Sequence, residues 1–165
     1  MVQIDSSVDE IAQELVFREH QIALLQIEAS MLAAELDRSG FLEDAGYNSP
    51  TDWLRFNCHL TDKVAADRIR VGEQLSRLPM SVDYLRDGEI GYSHLTVMAQ
   101  TAEAVGEQFD ERKLLPLAVE HTPGKFYFKC LHYRHSVDAR KYAEEQSDDA
   151  INHHLSLSTR KAATC

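Results

Sequence analysis

The sequence predicts an all-α, multi-helix chain, and three observations carry that prediction. Apolar residues recur every three or four positions from Ile11 to Leu36, and no glycine or proline intervenes before Gly40. Helix-start signals then repeat along the chain, at Ser49-Pro50, Thr61-Asp62 and Thr122-Pro123. Period-two alternation occurs only at Leu155-Ser156-Leu157-Ser158-Thr159.

Ser7 and Glu10 have the spacing of a capping box and open a helix expected over 7–38. Its stripe is Ile11, Leu15, Arg18, Ile22, Leu25, Ala29, Leu32 and Leu36, apolar except for Arg18. At ~1.5 Å per residue such a helix is ~48 Å long. A globule of this chain length is roughly 40 Å across. The helix should therefore overhang the body or pair with a second copy, and the stripe fits core packing and a homodimer seam equally well.

Shorter helices follow. Ser49, Pro50 and Asp52 start one that runs to about Cys58, and Thr61-Asp62 start another that ends before Pro79. Ser81–Arg86, closed by Gly88, and Ser93–Val105 come next. A helix from Asp110 contains Pro116 and should bend there. The last expected helix covers 123–146. Residues 1–146 then form the helical domain, and 147–165 a linker with a short strand-like tail.

Composition bounds the function. The 165 residues carry 27 Asp+Glu against 17 Lys+Arg, a net charge of −10, which disfavours a general polyanion binder. No apolar run reaches the roughly 18 residues of a membrane span, and acidic Met1–Glu10 is unlike a signal peptide. Cys58, Cys130 and Cys165 are far apart and odd in number, as expected of free thiols in a reducing cytoplasm. The charge is segregated, however. Residues 1–52 hold 11 acids and 2 bases, whereas residues 112–142 hold 7 bases and 2 acids.

The segments 50–58 and 62–78, joined by three residues, have the arrangement of a helix-turn-helix. On the second of them, Ala65, Ile69, Val71, Leu75 and Leu78 share one side. Lys63, Arg70 and Arg77, with Gln74, share another. This ridge is expected to face outward to DNA, with Arg55 adding a phosphate contact. Glu73 and Asp67 flank it and weaken its field. Arg68 falls inside the apolar arc, where its stem should pack and its charge should find an acid. The competing reading is an ordinary solvated helix face.

Gly46-Tyr47, Ser49, Trp53-Leu54, Leu60-Thr61, Ala65-Ala66, Arg70-Val71, Leu75, Leu78-Pro79, Gly88-Glu89-Ile90 and His94 occur in an order and spacing that resembles a bacterial family, domain of unknown function 222. The resemblance runs from about Leu36 to Leu157. It implies an all-helical module of the kind that precedes HNH endonuclease domains in proteins acting on DNA, and it assigns no catalytic residue to this region. Two rivals stand beside that reading: a protein-interaction or homodimerisation module, and the remnant of a metal-dependent HNH endonuclease.

No enzyme chemistry is legible. There is no Cys-x-x-Cys pair, no phosphate-cradling glycine loop and no local nucleophile signature. Asn152-His153-His154 mimics HNH letters but should be a polar linker entering the tail. In Cys130–His135, His132 and His135 share a helix face that Cys130 leaves, so a metal would need help from elsewhere, such as His121. A basic, aromatic helix face is the expectation there. Lys125, Phe126, Tyr127, Phe128 and Lys129 mix bases with aromatics as single-strand binders do. Phe126, Cys130, Tyr133 and Val137 nevertheless read as core, with Phe128, Leu131, Ala139 and Tyr142 as a second buried side. Catalytic residues, metal ligands and cofactors are therefore all expected to be none.

Overall fold

Helix-start chemistry explains most of the element boundaries. The computed structural model describes residues 7–162. α1 spans Val8–Arg38, and the Ser7 hydroxyl accepts the Glu10 N–H at 3.3 Å. A four-residue helix, α2 (Phe41–Asp44), follows left-handed Gly40. α3 (Pro50–Asn57) and α4 (Asp62–Gln74) start on Ser49 and Thr61, whose hydroxyls accept Asp52 and Val64 N–H groups. α5 (Pro79–Arg86), α6 (Tyr92–Val105), α7 (Glu111–Glu120) and α8 (Pro123–Ala162) complete the chain. The fold is all-α, and no strand occurs among the described residues.

Beyond the unexpected α2 and shifts of one or two residues at the starts of α5 and α6, three boundaries differ from expectation. α4 stops at Gln74, because Leu75–Arg77 tightens into a 3-10 turn before Pro79, which opens α5. Four residues rather than three link α3 to α4, and His59 there takes a left-handed φ of 55°. The third difference is the largest: α8 runs unbroken from Pro123 to Ala162, through both the expected linker and the strand-like segment Leu155–Thr159. No glycine or proline follows Gly124. Five alternating residues with no partner strand do not outweigh a helix already growing into them. Residues 163–165 of that tail lie outside the described residues.

α1 packs mainly on α4, α4 on α6, and α6 on α8, with α5 and α7 closing one end. The main core joins Ile27, Val71, Leu78, Leu85, Leu95, Met98, Leu114, Phe126 and Cys130. A smaller cluster joins Ala33, Leu54, Ala65 and Ile69. Gly72 sets the closeness of α1 and α4: a Cβ there would collide with the Ser30 carbonyl and stand 2.8 Å from Ala34 Cβ. Tyr92 binds three helices together. Its hydroxyl lies 2.8 Å from Ser30 Oγ on α1, and its ring lies 5.1 Å beneath the Arg68 guanidinium of α4.

The α1 residues that enter the core are Ala23, Ile27, Ser30, Ala33 and Ala34, none of them a member of the predicted stripe. Ile11, Leu15, Ile22, Leu25 and Leu32 all face solvent, Leu25 at 63% exposure. Every residue from 7 to 19 is exposed, so the first ~18 Å of α1 overhangs the body.

Candidate nucleic-acid interface

The expected cationic ridge is paired rather than free: Lys63 stays exposed beside Asp67, whereas Arg70 and Arg77 are half-buried and fasten α4 and the turn after it to α6. Asp67, with 11% of its side chain exposed, is the hub: its Oδ2 accepts Lys63 Nζ at 2.9 Å, and its Oδ1 accepts Arg70 Nη1 at 2.9 Å and Gln100 Nε2 at 3.0 Å. Arg70 Nε also donates to Glu103 Oε2 at 2.6 Å. Arg77 closes the end of α6. Its Nη1 donates to the Ala102 carbonyl at 2.7 Å and to Gln74 Oε1 at 3.0 Å, and its Nη2 donates to the Gly106 carbonyl. The same guanidinium lies 5.4 Å above the Phe109 ring, and a cation at a helix C-terminus also complements the dipole. Arg55 bridges Asp52 and Asp62.

These contacts correct the outward assignment of Arg70, Gln74 and Arg77; Arg55 and Lys63 are exposed as expected, though each is ion-paired to carboxylates. The apolar side of α4 is buried as expected, with Ala65 and Val71 inaccessible. Arg70 and Arg77 on the cationic side, however, meet α6, which itself supplies Gln100, Glu103 and C-terminal carbonyls. Asp67 was read as a flanking acid, although its i−4 and i+3 spacing to Lys63 and Arg70 already encodes ion pairs. Arg68 is structural as expected, but its partners are the Gln26 carbonyl at 3.4 Å and the Tyr92 ring rather than an acid.

His94, one of the residues that carry the family resemblance, is likewise structural. Its Nδ1 accepts the Gly91 N–H at 3.1 Å, which leaves Nε2 as the donor to the His121 carbonyl at 2.7 Å. Its ring leans on Phe126 with centroids 5.8 Å apart. One side chain thus caps α6 and anchors the approach to α8.

Cationic surface without a counter-charge lies instead on α8. Residues 124–137 contain no acid. Phe126, Cys130 and Val137 are buried and Tyr133 is half-buried, as expected, and Tyr133 Oη donates to the Gln108 carbonyl while accepting the Asp110 N–H. The second buried side does not exist: Phe128 is 68% exposed and Ala139 is exposed, while Tyr142 lies outside the residues whose side chains are described. At ~100° per residue, Lys125, Phe128, Lys129, His132, His135 and Arg140 share an arc of about 140° beside the buried side. All six are exposed, and among the described residues no carboxylate is within ion-pair distance of Lys125, Lys129 or Arg140. The excess of bases in 112–142 was the available signal, and taking Phe128 for core obscured it.

Nothing at these positions is arranged for catalysis. Burial pushes the Cys130 thiol up to about 11, against weaker opposing effects of a Thr101 hydrogen bond and the Arg134 charge. It is therefore protonated at neutral pH and turned away from exposed His132 and His135. Asn152-His153-His154 lies on a helix, not in a linker leading to a strand. Among the described residues, no three His, Cys, Asp or Glu side chains converge to hold a metal, and no helix is long and apolar enough to cross a membrane. Comparison with protein-family models, with curated proteins and with solved structures gave no match to this chain.

Proposed function

We propose that this chain is a non-catalytic helical module that binds or positions DNA, as its resemblance to domain of unknown function 222 implies, and that it does so through the outer face of α8. The observation that carries the reading is the set Lys125, Lys129 and Arg140: exposed, on one face, and without an ion-pair partner among the described residues in a protein of net charge −10. Phe128, exposed among them, supplies a surface on which an unpaired base can stack. The acidic remainder keeps affinity modest and makes it salt-sensitive.

Fluorescence anisotropy with labelled duplex and single-stranded oligonucleotides tests this. Lys125→Glu/Lys129→Glu/Arg140→Glu should lose binding at unchanged helicity, whereas Lys63→Glu should not. Three neutralised phosphates correspond to a log–log salt slope of about −2.7 on duplex. Equal binding by the triple variant rejects the reading. The rival, an interaction module, is favoured by the apolar stripe left bare on α1.

A further inference from the structure

Twelve residues of α1 project beyond the body, and the apolar stripe continues from them along the helix over the body. Val8 joins it, so the register runs Val8, Ile11, Leu15, Arg18, Ile22, Leu25, Ala29, Leu32 and Leu36 in alternating steps of three and four. That is a four-heptad a/d seam, long enough for a coiled coil. None of these positions is fully buried, and of the residues α1 does bury only Ala33 falls on this side, at the groove end, while Ala23, Ile27, Ser30 and Ala34 lie on another.

The two ends of the seam differ. The overhang borders the body only through Val16 and Glu19, which line a cleft with the Gly88–His94 turn, and its seam side is bare. At the other end Ala29, Leu32 and Leu36 form one wall of an apolar groove of about 560 Å³, completed by Trp53, Leu54 and Leu60. One end is thus a free apolar helix, and the other is a slot lined for one.

Apolar matching identifies the occupant, and Arg18 its direction. Glu14, Glu19, Glu28 and Glu35 flank the seam, so anionic lipid and nucleic acid are both repelled. Flanking glutamates meet in either orientation of a pair, Glu14 against Glu19 when parallel and Glu14 against Glu28 when antiparallel, so they do not set the direction. A parallel, in-register pair would stack Arg18 on Arg18 in the seam, whereas an antiparallel pair centred near residue 20 places Arg18 opposite Ile22. It also places Leu15 opposite Leu25, and Val8 and Ile11 opposite Leu32 and Ala29. Each overhang then lies on the other copy's groove. Along the ~36 Å from Val8 to Leu32 that such a pair shares, a contact ~12 Å wide covers ~430 Å² on each copy. That totals ~860 Å², and the groove wall at Trp53, Leu54 and Leu60 brings it towards the ~1,000 Å² of a specific interface.

We infer that α1 is the seam of an antiparallel homodimer in which each copy's overhang occupies the groove beside the other copy's Trp53. This does not depend on α8 binding DNA.

Sedimentation equilibrium of the full chain should give a dimer at micromolar concentration, and Leu25→Asp or Leu32→Asp a monomer. Both positions are exposed, so circular dichroism should be unchanged. Orientation is read by a short bis-maleimide linker in a background lacking Cys58 and Cys165. An equimolar mixture of Leu15→Cys and Leu25→Cys chains should cross-link, and neither variant alone. A monomeric wild type, a dimer that survives Leu25→Asp, or cross-linking of Leu15→Cys with itself would each overturn the inference.

Discussion

Arg77 Nη1 donates to the Ala102 carbonyl across 2.7 Å, so a side chain from the turn after α4 closes the C-terminus of α6. Such a contact adds a charged donor to carbonyls that already accept the Gly106 and Phe109 N–H groups, at the negative end of the helix dipole. Arg77→Met keeps the stem but forfeits the bonds, and should cost about 1.5–3 kcal/mol in urea denaturation. Arg77→Lys should recover little, since one ammonium cannot bridge two carbonyls and stack on Phe109.

Gly72→Ala improves intrinsic helix propensity by ~1 kcal/mol. It should nevertheless destabilise the protein by about 1–3 kcal/mol, because the new methyl meets Ser30 and Ala34 across the tightest helix contact. Thermal denaturation gives the sign directly, and an increase in Tm would mean that α1 moves aside without penalty.

Asp67 and Lys63 share an ion pair but should respond unequally. Lys63 is 80% exposed at its side chain and returns to water when the pair is broken, so Lys63→Ala should change stability by ~0.5 kcal/mol or less. Asp67→Ala strands Arg70 and Gln100 as well, and should cost about 1–3 kcal/mol. A double-mutant cycle on the two positions measures the coupling.

Burial raises the Glu73 carboxyl above its ordinary value, and neighbouring Asp37 and Glu103 add to the shift while Arg70 opposes it. A carboxyl raised on folding makes the native state bind protons more tightly, so the group costs stability once pH exceeds its folded value. Glu73→Gln should raise Tm at pH 7, and the gain should vanish below about pH 4.3, where the unfolded carboxyl is also protonated. A gain independent of pH would contradict the electrostatic cause.

Cys58 is exposed and Cys130 buried, so a thiol reagent should modify the first within the native protein and the second only on unfolding. Peptide mapping of a Cys165→Ser chain, with and without denaturant, reads both sites.

Local chemistry made most of the fold legible. Ser7, Ser49, Thr61 and Asp110 each cap the helix their sequence context announces, and Pro50, Pro79 and Pro123 each stand at a helix start. What was hidden depends on which helices become neighbours. The pattern of α4 separates a cationic side from an apolar one, but not whether water or α6 lies against the cations. For the same reason a heptad stripe on α1 did not reveal that the core takes the adjacent face, where Ser30 and Ala34 admit Gly72. The short alternation at 155–159 carried less information than the absence of breakers after Gly124.

Because Tyr92 is fastened to Ser30 and lies beneath Arg68, α1, α4 and α6 share a single rivet. None of the three can peel away without undoing it. Their backbone amides should exchange with solvent in one cooperative event, while α8 beyond Val137, where every residue with a described side chain is exposed, opens on its own at much lower free energy.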